Sequence, residues 1–396
     1  MPERSEAAGQ VAELLHTARK SLGMDLTFLS RLDGTTQHLE VIDSDLAFAA
    51  LEGTMHPQET TFCQAILDGA LPPVMPDVTL FPLAMSLPGA AAGIRSYISA
   101  PVELSDGTVY GTFCGAGLQA DPQLTDRDRA LMEVLAHAAA MILEPDIDKR
   151  RRNAAIESRL RPLLDRGGPV VLLQPIVELA GGRRVGAEAL SRFPQEWGQP
   201  PDEVFADAEL IGERIPLELA ALRQAADHLP DVSGYIAMNI SPATLFSEAG
   251  AVFLAGLPLD RIVLELSEHD PVDDYDHLRA VLAPLRARNM RLAVDDVGAG
   301  YSSLRHIVAT SPDVIKLDRS IISGVADDRV LAVVVRALVD LAGAIGATVV
   351  AEGIETAADA AELTSLGVQL GQGWLFDRAV PAADLSDEYA LAPAGH

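Results

Sequence analysis

A set of side chains able to bind cations or move protons stands at the ends of short apolar runs in the second half of the chain: Glu188, Asn239, Glu265, the adjacent Asp295 and Asp296, Lys316, Glu352 and Gln372. Two neighbouring aspartates repel one another, so a buried pair must protonate or bind cations. Carboxylate and amide oxygens without histidine or cysteine match hard divalent ions, Mg²⁺ or Mn²⁺, better than zinc. The set suffices for two ions bridged by one shared aspartate. Such a site activates water and clamps the attacking and leaving oxygens of a phosphodiester. Lys316 would hold or polarise the attacking water, or stabilise charge on the phosphate. It is one of only three lysines among thirty basic residues, which marks it as a place where arginine does not serve.

Oxygens this far apart in sequence converge only if the strands carrying them end at one mouth. From Gly168 onward, short apolar runs alternate with longer helical patterns, at 170–174, 184–190, 235–240, 261–266, 290–295, 313–317, 347–351 and 369–373. Eight such strands predict a mainly parallel (β/α)₈ barrel, whose site lies at the C-terminal ends of its strands. No glycine-rich phosphate loop of the dinucleotide or P-loop type follows any of them.

The first part of the chain reads differently. Helical spacing over 7–22 is followed by a strand-like run over 26–32 and an Asp33-Gly34 turn. Runs at 97–104 and 108–114 flank Ser105-Asp106-Gly107, an antiparallel hairpin pattern. Thr125-x-x-Asp128 caps a helix expected to run to Leu143 and to be interrupted at Pro145. The charged stretch from Asp146 to Arg166, with Lys149-Arg-Arg-Arg152, reads as a solvated linker helix. The expected organisation is a first domain over 1–145, a linker over 146–165 and a barrel over 166–396.

At 396 residues with 48% apolar and 22% charged content, the chain has material for two cored domains. A net charge of −27 argues against a nucleic-acid polymer or a membrane surface as partner. A nucleotide remains possible where cations reverse the local field. The first residues, Met1-Pro-Glu-Arg-Ser-Glu, are charged where a signal peptide would need an apolar core, so a cytoplasmic location is expected. Cys63 and Cys114 make no disulfide framework and are expected as small core residues. His269 and His306 lie near the mouth segments, but the oxygen set is complete without them.

The runs around the candidate residues resemble the EAL phosphodiesterase family, which hydrolyses cyclic di-GMP to linear pGpG. They are Gln174-Pro-Ile-Val177, Glu188-Ala-Leu-Ser-Arg192, Asn239-Ile-Ser-Pro242, Leu264-Glu-Leu-Ser-Glu268, Val294-Asp-Asp-Val-Gly-Ala-Gly-Tyr-Ser-Ser303, Ile315-Lys-Leu-Asp-Arg-Ser320, Ala351-Glu-Gly-Ile-Glu-Thr356 and Gly371-Gln-Gly373. The resemblance implies a metal-dependent cyclic di-GMP phosphodiesterase with two Mg²⁺ or Mn²⁺ ions. Its ligands would be Glu188, Asn239, Glu265, Asp295, Asp296 and Glu352, its catalytic lysine Lys316 and its site glutamine Gln372. Gln174, Leu190 and Arg192 would contact substrate. Glu268 and Glu355, with Gly298, Gly300 and Ser302, would steady the loop after the Asp-Asp strand. It also implies an antiparallel first barrel strand and a homodimer. Ser191, Val297, Ala299 and Leu173 depart from the family's usual residues, none at a ligand position. The alternative is an inactive EAL-type receptor that binds cyclic di-GMP and signals through a partner.

Residues 22–30 and 102–114 resemble a GAF sensory domain, implying an α+β fold with a central antiparallel sheet and a small-molecule ligand whose identity the residues do not select.

Overall fold

The computed structural model describes residues 6–267, 272–298 and 303–389. These fall into two compact units, divided after Arg152.

In the first unit the helix Glu6–Leu22 leads into strand β1 (Leu26–Leu32) and β2 (Thr36–Ser44), paired antiparallel across the Asp33-Gly34 turn. Asp33 accepts from the Thr35 and Thr36 backbone amides at 3.0 and 2.7 Å, a side-chain-capped turn that fixes the hairpin register. With β3 (Met55–Pro57), β4 (Val74–Met75), β5 (Ser96–Glu103) and β6 (Val109–Gly117), they form one antiparallel sheet in the order β3-β2-β1-β6-β5-β4. The helical face of Val11, Leu15 and Ala18 packs one side of this sheet, joined by Met132, Ala136, Ala139, Leu143 and Ile147. Their three- and four-residue spacing puts them on one stripe of a second helix.

That second helix runs unbroken from Asp126 to Asp165, through Pro145. Pro145 therefore does not interrupt it, contrary to the sequence expectation. Proline removes a single i→i−4 bond, and buried Leu143 and Ile147 anchor the turns on either side. At the helix start the reciprocal half of the expected capping box forms: the Thr125 backbone amide and hydroxyl donate to Asp128 Oδ2 at 2.8 and 3.0 Å. Further along, Ile156, Leu160 and Leu163 pack on Val204, Ala208 and Leu217 within the second unit.

The second unit is a closed eight-stranded barrel: β7 (Val170–Glu178), β8 (Arg184–Arg192), β9 (Tyr235–Asn239), β10 (Ile262–Ser267), β11 (Arg291–Val297), β12 (Val314–Leu317), β13 (Thr348–Ala351) and β14 (Leu370–Gly371). Only β7 runs antiparallel to its neighbours, β8 and β14. Strand alternation sorts the side chains. One set, including Ile236, Leu264, Leu292, Ile315 and Val349, packs outward into helix-facing cores. The alternate set, Ile176, Tyr235, Ala237, Val263, Ala293, Val314 and Val350, fills the barrel interior as a largely apolar floor. Two residues further along five of these strands, toward the mouth, stand Asn239, Glu265, Asp295, Lys316 and Glu352.

Gly373 shows how tightly the mouth is closed at β14. A Cβ there would lie 2.2 Å from the backbone N and O of Ile354, whose amide accepts no displacement because it bonds the Gln372 carbonyl at 3.0 Å. Gly373→Ala is expected to destabilise the protein by at least about 3 kcal/mol, above the ordinary cost of an extra methyl group, because the obstacle is main chain. Denaturant unfolding checks this, and a loss below about 1 kcal/mol would show that the β13–β14 connection yields.

Candidate active site

Lys316 sits at the centre of the barrel mouth and is only 1% exposed. Its Nζ lies 2.6 Å from Glu352 Oε1, 3.0 Å from Glu265 Oε1, 3.1 Å from Asp295 Oδ1 and 3.3 Å from Glu188 Oε2. Four strands other than its own thus aim carboxylates at one ammonium. Burial alone would push the ammonium down, but Asp295, Glu188, Glu265 and Glu352 together hold it well above its ordinary value.

The carboxylates divide by their neighbours. Burial would raise Glu188, yet Lys316 and the amides of Gln372 and Asn239 hold it below the usual range. Those amides donate at 2.6 Å (Gln372 Nε2) and 3.1 Å (Asn239 Nδ2). Gln372 Nε2 also donates to Gln174 Oε1 at 3.0 Å, and Gln174 Nε2 to the Asp377 carbonyl at 3.1 Å, so an amide chain orients Glu188. Burial drives the other three up, against the pull of Lys316: Glu265 and Glu352 well above the ordinary range and Asp295 to about 6. With one ammonium for four acids, like charges reinforce that rise.

Asp295 and Asp296 owe their placement to a break in the strand. Adjacent residues of a regular strand face opposite sides of the sheet. Here the β11–β12 register shifts between Val294 and Val297, and Asp296 adopts φ +59°, a left-handed conformation uncommon outside glycine. The Asp296 amide donates to Asp295 Oδ1 at 2.9 Å, and the bulge turns both carboxylates to the mouth. Two acid clusters result, Glu188–Glu265–Asp295 and Asp295–Asp296–Glu352, each with one oxygen per residue within 4.8 Å of the others. Asp295 belongs to both. Such all-oxygen clusters suit hard divalent cations, and Glu265 Oε2 is buried with no hydrogen-bond partner among the described residues.

Beside this cluster a cleft of about 260 Å³ is lined by Leu190, Arg192, Pro201, Phe205, Glu218 and Asn239, among others. Leu190 and Arg192 thus border the cleft, while Glu188 lies one inward position below them on β8. Gly298 begins the loop after β11 at φ +115°, where a Cβ would meet Ile321 at 2.7 Å, so only glycine fits. Glu355 is exposed and pairs with Arg319 at 2.9 Å. Glu268, Gly300 and Ser302, with Ala299 and His269, lie outside the described residues, as does the side chain of His306.

One cleft residue escaped the sequence reading. Glu218 is buried among Leu217, Leu219, Ala220 and Leu222, takes the Ser241 amide at 3.1 Å and hydroxyl at 2.8 Å, and pairs with Arg214 Nε at 2.7 Å. It lines both this cleft and an adjoining one that reaches Glu265. An acid on an otherwise apolar helical face was the available signal. No helix among the described residues is long and apolar enough to cross a membrane.

Residues 157–379 match the EAL domain family model and residues 9–143 the GAF domain model. An uncharacterized Mycobacterium tuberculosis protein is 32% identical over 277 residues, covering 62% of this chain and 88% of that protein. The cyclic di-GMP phosphodiesterase PdeL of Escherichia coli is 31% identical over 238 residues, 56% of this chain; the chain spans 66% of PdeL, just under two thirds of its length. Among solved structures, the PaMucR phosphodiesterase in complex with c-di-GMP aligns with a TM-score of 0.52 at 29% identity, covering 59% of this chain and 100% of that one. A closed barrel with one antiparallel strand, carrying this acid cluster and matched over more than half the chain, makes it a member of the EAL domain family, with a GAF domain ahead of the barrel.

Proposed function

We propose that this chain is a divalent-cation-dependent phosphodiesterase that hydrolyses cyclic di-GMP to linear pGpG. The observation that carries the reading is the buried Lys316 ammonium ringed by four carboxylates at the barrel mouth, beside an open cleft. Two of the relatives named above, PdeL and the PaMucR phosphodiesterase, act on or bind the same dinucleotide.

Glu188, Asn239, Glu265, Asp295, Asp296 and Glu352 would hold two Mg²⁺ or Mn²⁺ ions, with Asp295 shared. The donor set fits: it is all oxygen, crowded beyond what one ammonium neutralises, and includes the unpartnered Glu265 oxygen. Bound divalent cations supply charge neutralisation at phosphate and a lowered pKa for water. Lys316 donates to the attacking water or to a phosphate oxygen; in the cation-free site its carboxylate neighbours hold it charged. Gln372, Gln174 and Asn239 fix the Glu188 carboxylate so that it spends no reorganisation during the reaction. Arg192 offers a planar fork to phosphate at the cleft edge, and Leu190 an apolar surface to a base.

The division of labour is a sensory domain over 1–145, a helical linker over 146–165 and a catalytic barrel over 166–396, with the GAF domain regulating turnover. Incubation of the purified chain with cyclic di-GMP and Mg²⁺ or Mn²⁺, followed by chromatography, should yield pGpG. Binding without pGpG under either metal would replace this reading with that of a receptor. Equal turnover by the full chain and by a truncation starting at residue 150 would remove the regulatory role.

A further inference from the structure

The two cysteines, 51 positions apart, meet inside the first unit. Cys63, on the short helix Phe62–Leu67, and Cys114, on β6, bring their sulfurs to 3.6 Å, against roughly 2.0 Å in a disulfide. Both are buried, at 2% and 0% exposure. They lie in a polar network enclosed by apolar core. Gln37 Nε2 donates to Cys63 Sγ at 2.9 Å, the Tyr97 hydroxyl lies 3.1 Å from the same sulfur, and Cys114 Sγ lies 3.3 Å from Ser99 Oγ and 3.2 Å from Thr112 Oγ1. Two inert core cysteines would need no such company, because every buried polar group must be stripped of water. Cys63 also lines a cavity of about 270 Å³ walled by Leu26, Phe28, Leu39, Phe62 and Ile94. A largely apolar cavity, with Gln37, His56, Thr60 and Thr61 also in its wall, therefore borders a thiol that has a second thiol behind it.

We infer that Cys63 and Cys114 are a redox-active dithiol, oxidised to an intramolecular disulfide by a hydroperoxide that enters the cavity. Cys63 sulfur attacks the terminal oxygen of R–O–O–H, forming an S–O bond and breaking the O–O bond. The thiol proton leaves with the other oxygen as ROH, and Cys63 becomes a sulfenic acid. Cys114 then gives up its proton and attacks the Cys63 sulfur. The S–S bond forms, and the departing hydroxide takes the proton as water. Each sulfur loses one electron, and the peroxide oxygens gain both.

The division of roles has electrostatic support. Burial would raise the Cys63 thiol, but hydrogen bonds with Cys114, Thr112, Tyr97 and Gln37 outweigh it and hold the thiol at about 6. Burial and the neighbouring Cys63 push Cys114 well above its ordinary value. The thiolate is the nucleophile, so Cys63 attacks first and Cys114 resolves.

Because the chain has only these two cysteines, intact mass reads the outcome directly. The reduced full chain, freed of reductant, is exposed to hydrogen peroxide or tert-butyl hydroperoxide, then denatured and alkylated. Adducts should fall from two to none in a monomer that has lost two hydrogens, and dithiothreitol should restore both. Faster loss with tert-butyl hydroperoxide would assign the apolar cavity as the route for an organic oxidant, and faster loss with hydrogen peroxide a small one. Cys114→Ser should stop at a sulfenic acid trapped by dimedone, and Cys63→Ser should slow reaction of the remaining thiol at least about tenfold. Two adducts retained under conditions that oxidise free cysteine, or a disulfide between chains, would overturn the inference. The wild-type measurement decides even if a variant fails to fold.

Discussion

Replacing Lys316 with methionine is expected to reduce cyclic di-GMP hydrolysis by about 10²- to 10³-fold, the usual cost of one preorganised donor at a developing charge. It should also make folding depend on divalent cations. The Lys316 ammonium is the cation that the structure places among Glu188, Glu265, Asp295 and Glu352, all within 3.3 Å of it. Methionine fills similar space but leaves those carboxylates facing one another, and breaking a buried charge cluster in this way costs about 3–5 kcal/mol. Cations that bind the folded state offset part of that loss, by about 2.7 kcal/mol at a hundredfold excess over the dissociation constant. Melting curves with chelator and with excess Mn²⁺ should therefore separate more widely for Lys316→Met than for the parent chain. A variant that melts like the parent in chelator would show that the acids relieve themselves by taking up protons, and one with more than about a tenth of parental turnover would remove Lys316 from the reaction.

The barrel was legible from the sequence because its strands are short apolar runs that end in oxygen-bearing residues, and Glu188, Glu265, Asp295, Lys316 and Glu352 do meet. The direction of β7 was not legible from that pattern. The alternation of buried and partly exposed residues along β7 reads the same in either orientation. The connection held the missing signal: the segment 179–183 between β7 and β8 is too short for a parallel crossover, which needs a dozen residues or more. The helix through Pro145 misled for the opposite reason, since local propensity was outweighed by packing of Leu143 and Ile147. Pairing of Cys63 with Cys114 depends on how a short helix lies across the sheet, which no local pattern encodes. The bulge at Asp295-Asp296 is similar: adjacent acids imply opposite faces until a register shift and a left-handed residue bring them to one.

Asp295→Asn should separate activity from stability in opposite directions. Asp295 belongs to both acid clusters, so the neutral amide should weaken the hold on both cations and lower hydrolysis by at least about 10³-fold, several kcal/mol of transition-state stabilisation. In the cation-free protein the same carboxyl is a burden, because burial lifts it from its usual value to about 6. Between pH 4 and 6 the folded state keeps a proton that the unfolded chain has released, so its contribution to stability is present below the unfolded value and lost as pH rises through about 6. Asparagine carries no such proton. In chelator at pH 7.5 the variant should be more stable than the parent chain, on the order of 2 kcal/mol, and its stability should fall less steeply between pH 4 and 6. Cation binding should report the same group: the parent releases protons on binding Mn²⁺ at pH 6, and titration calorimetry in buffers of different ionisation enthalpy should show that release reduced in the variant. Turnover within about tenfold of the parent would remove Asp295 as the shared ligand. An unchanged pH profile of stability would show that the proton at the barrel mouth resides on Glu265 or Glu352, whose carboxyls burial also holds high.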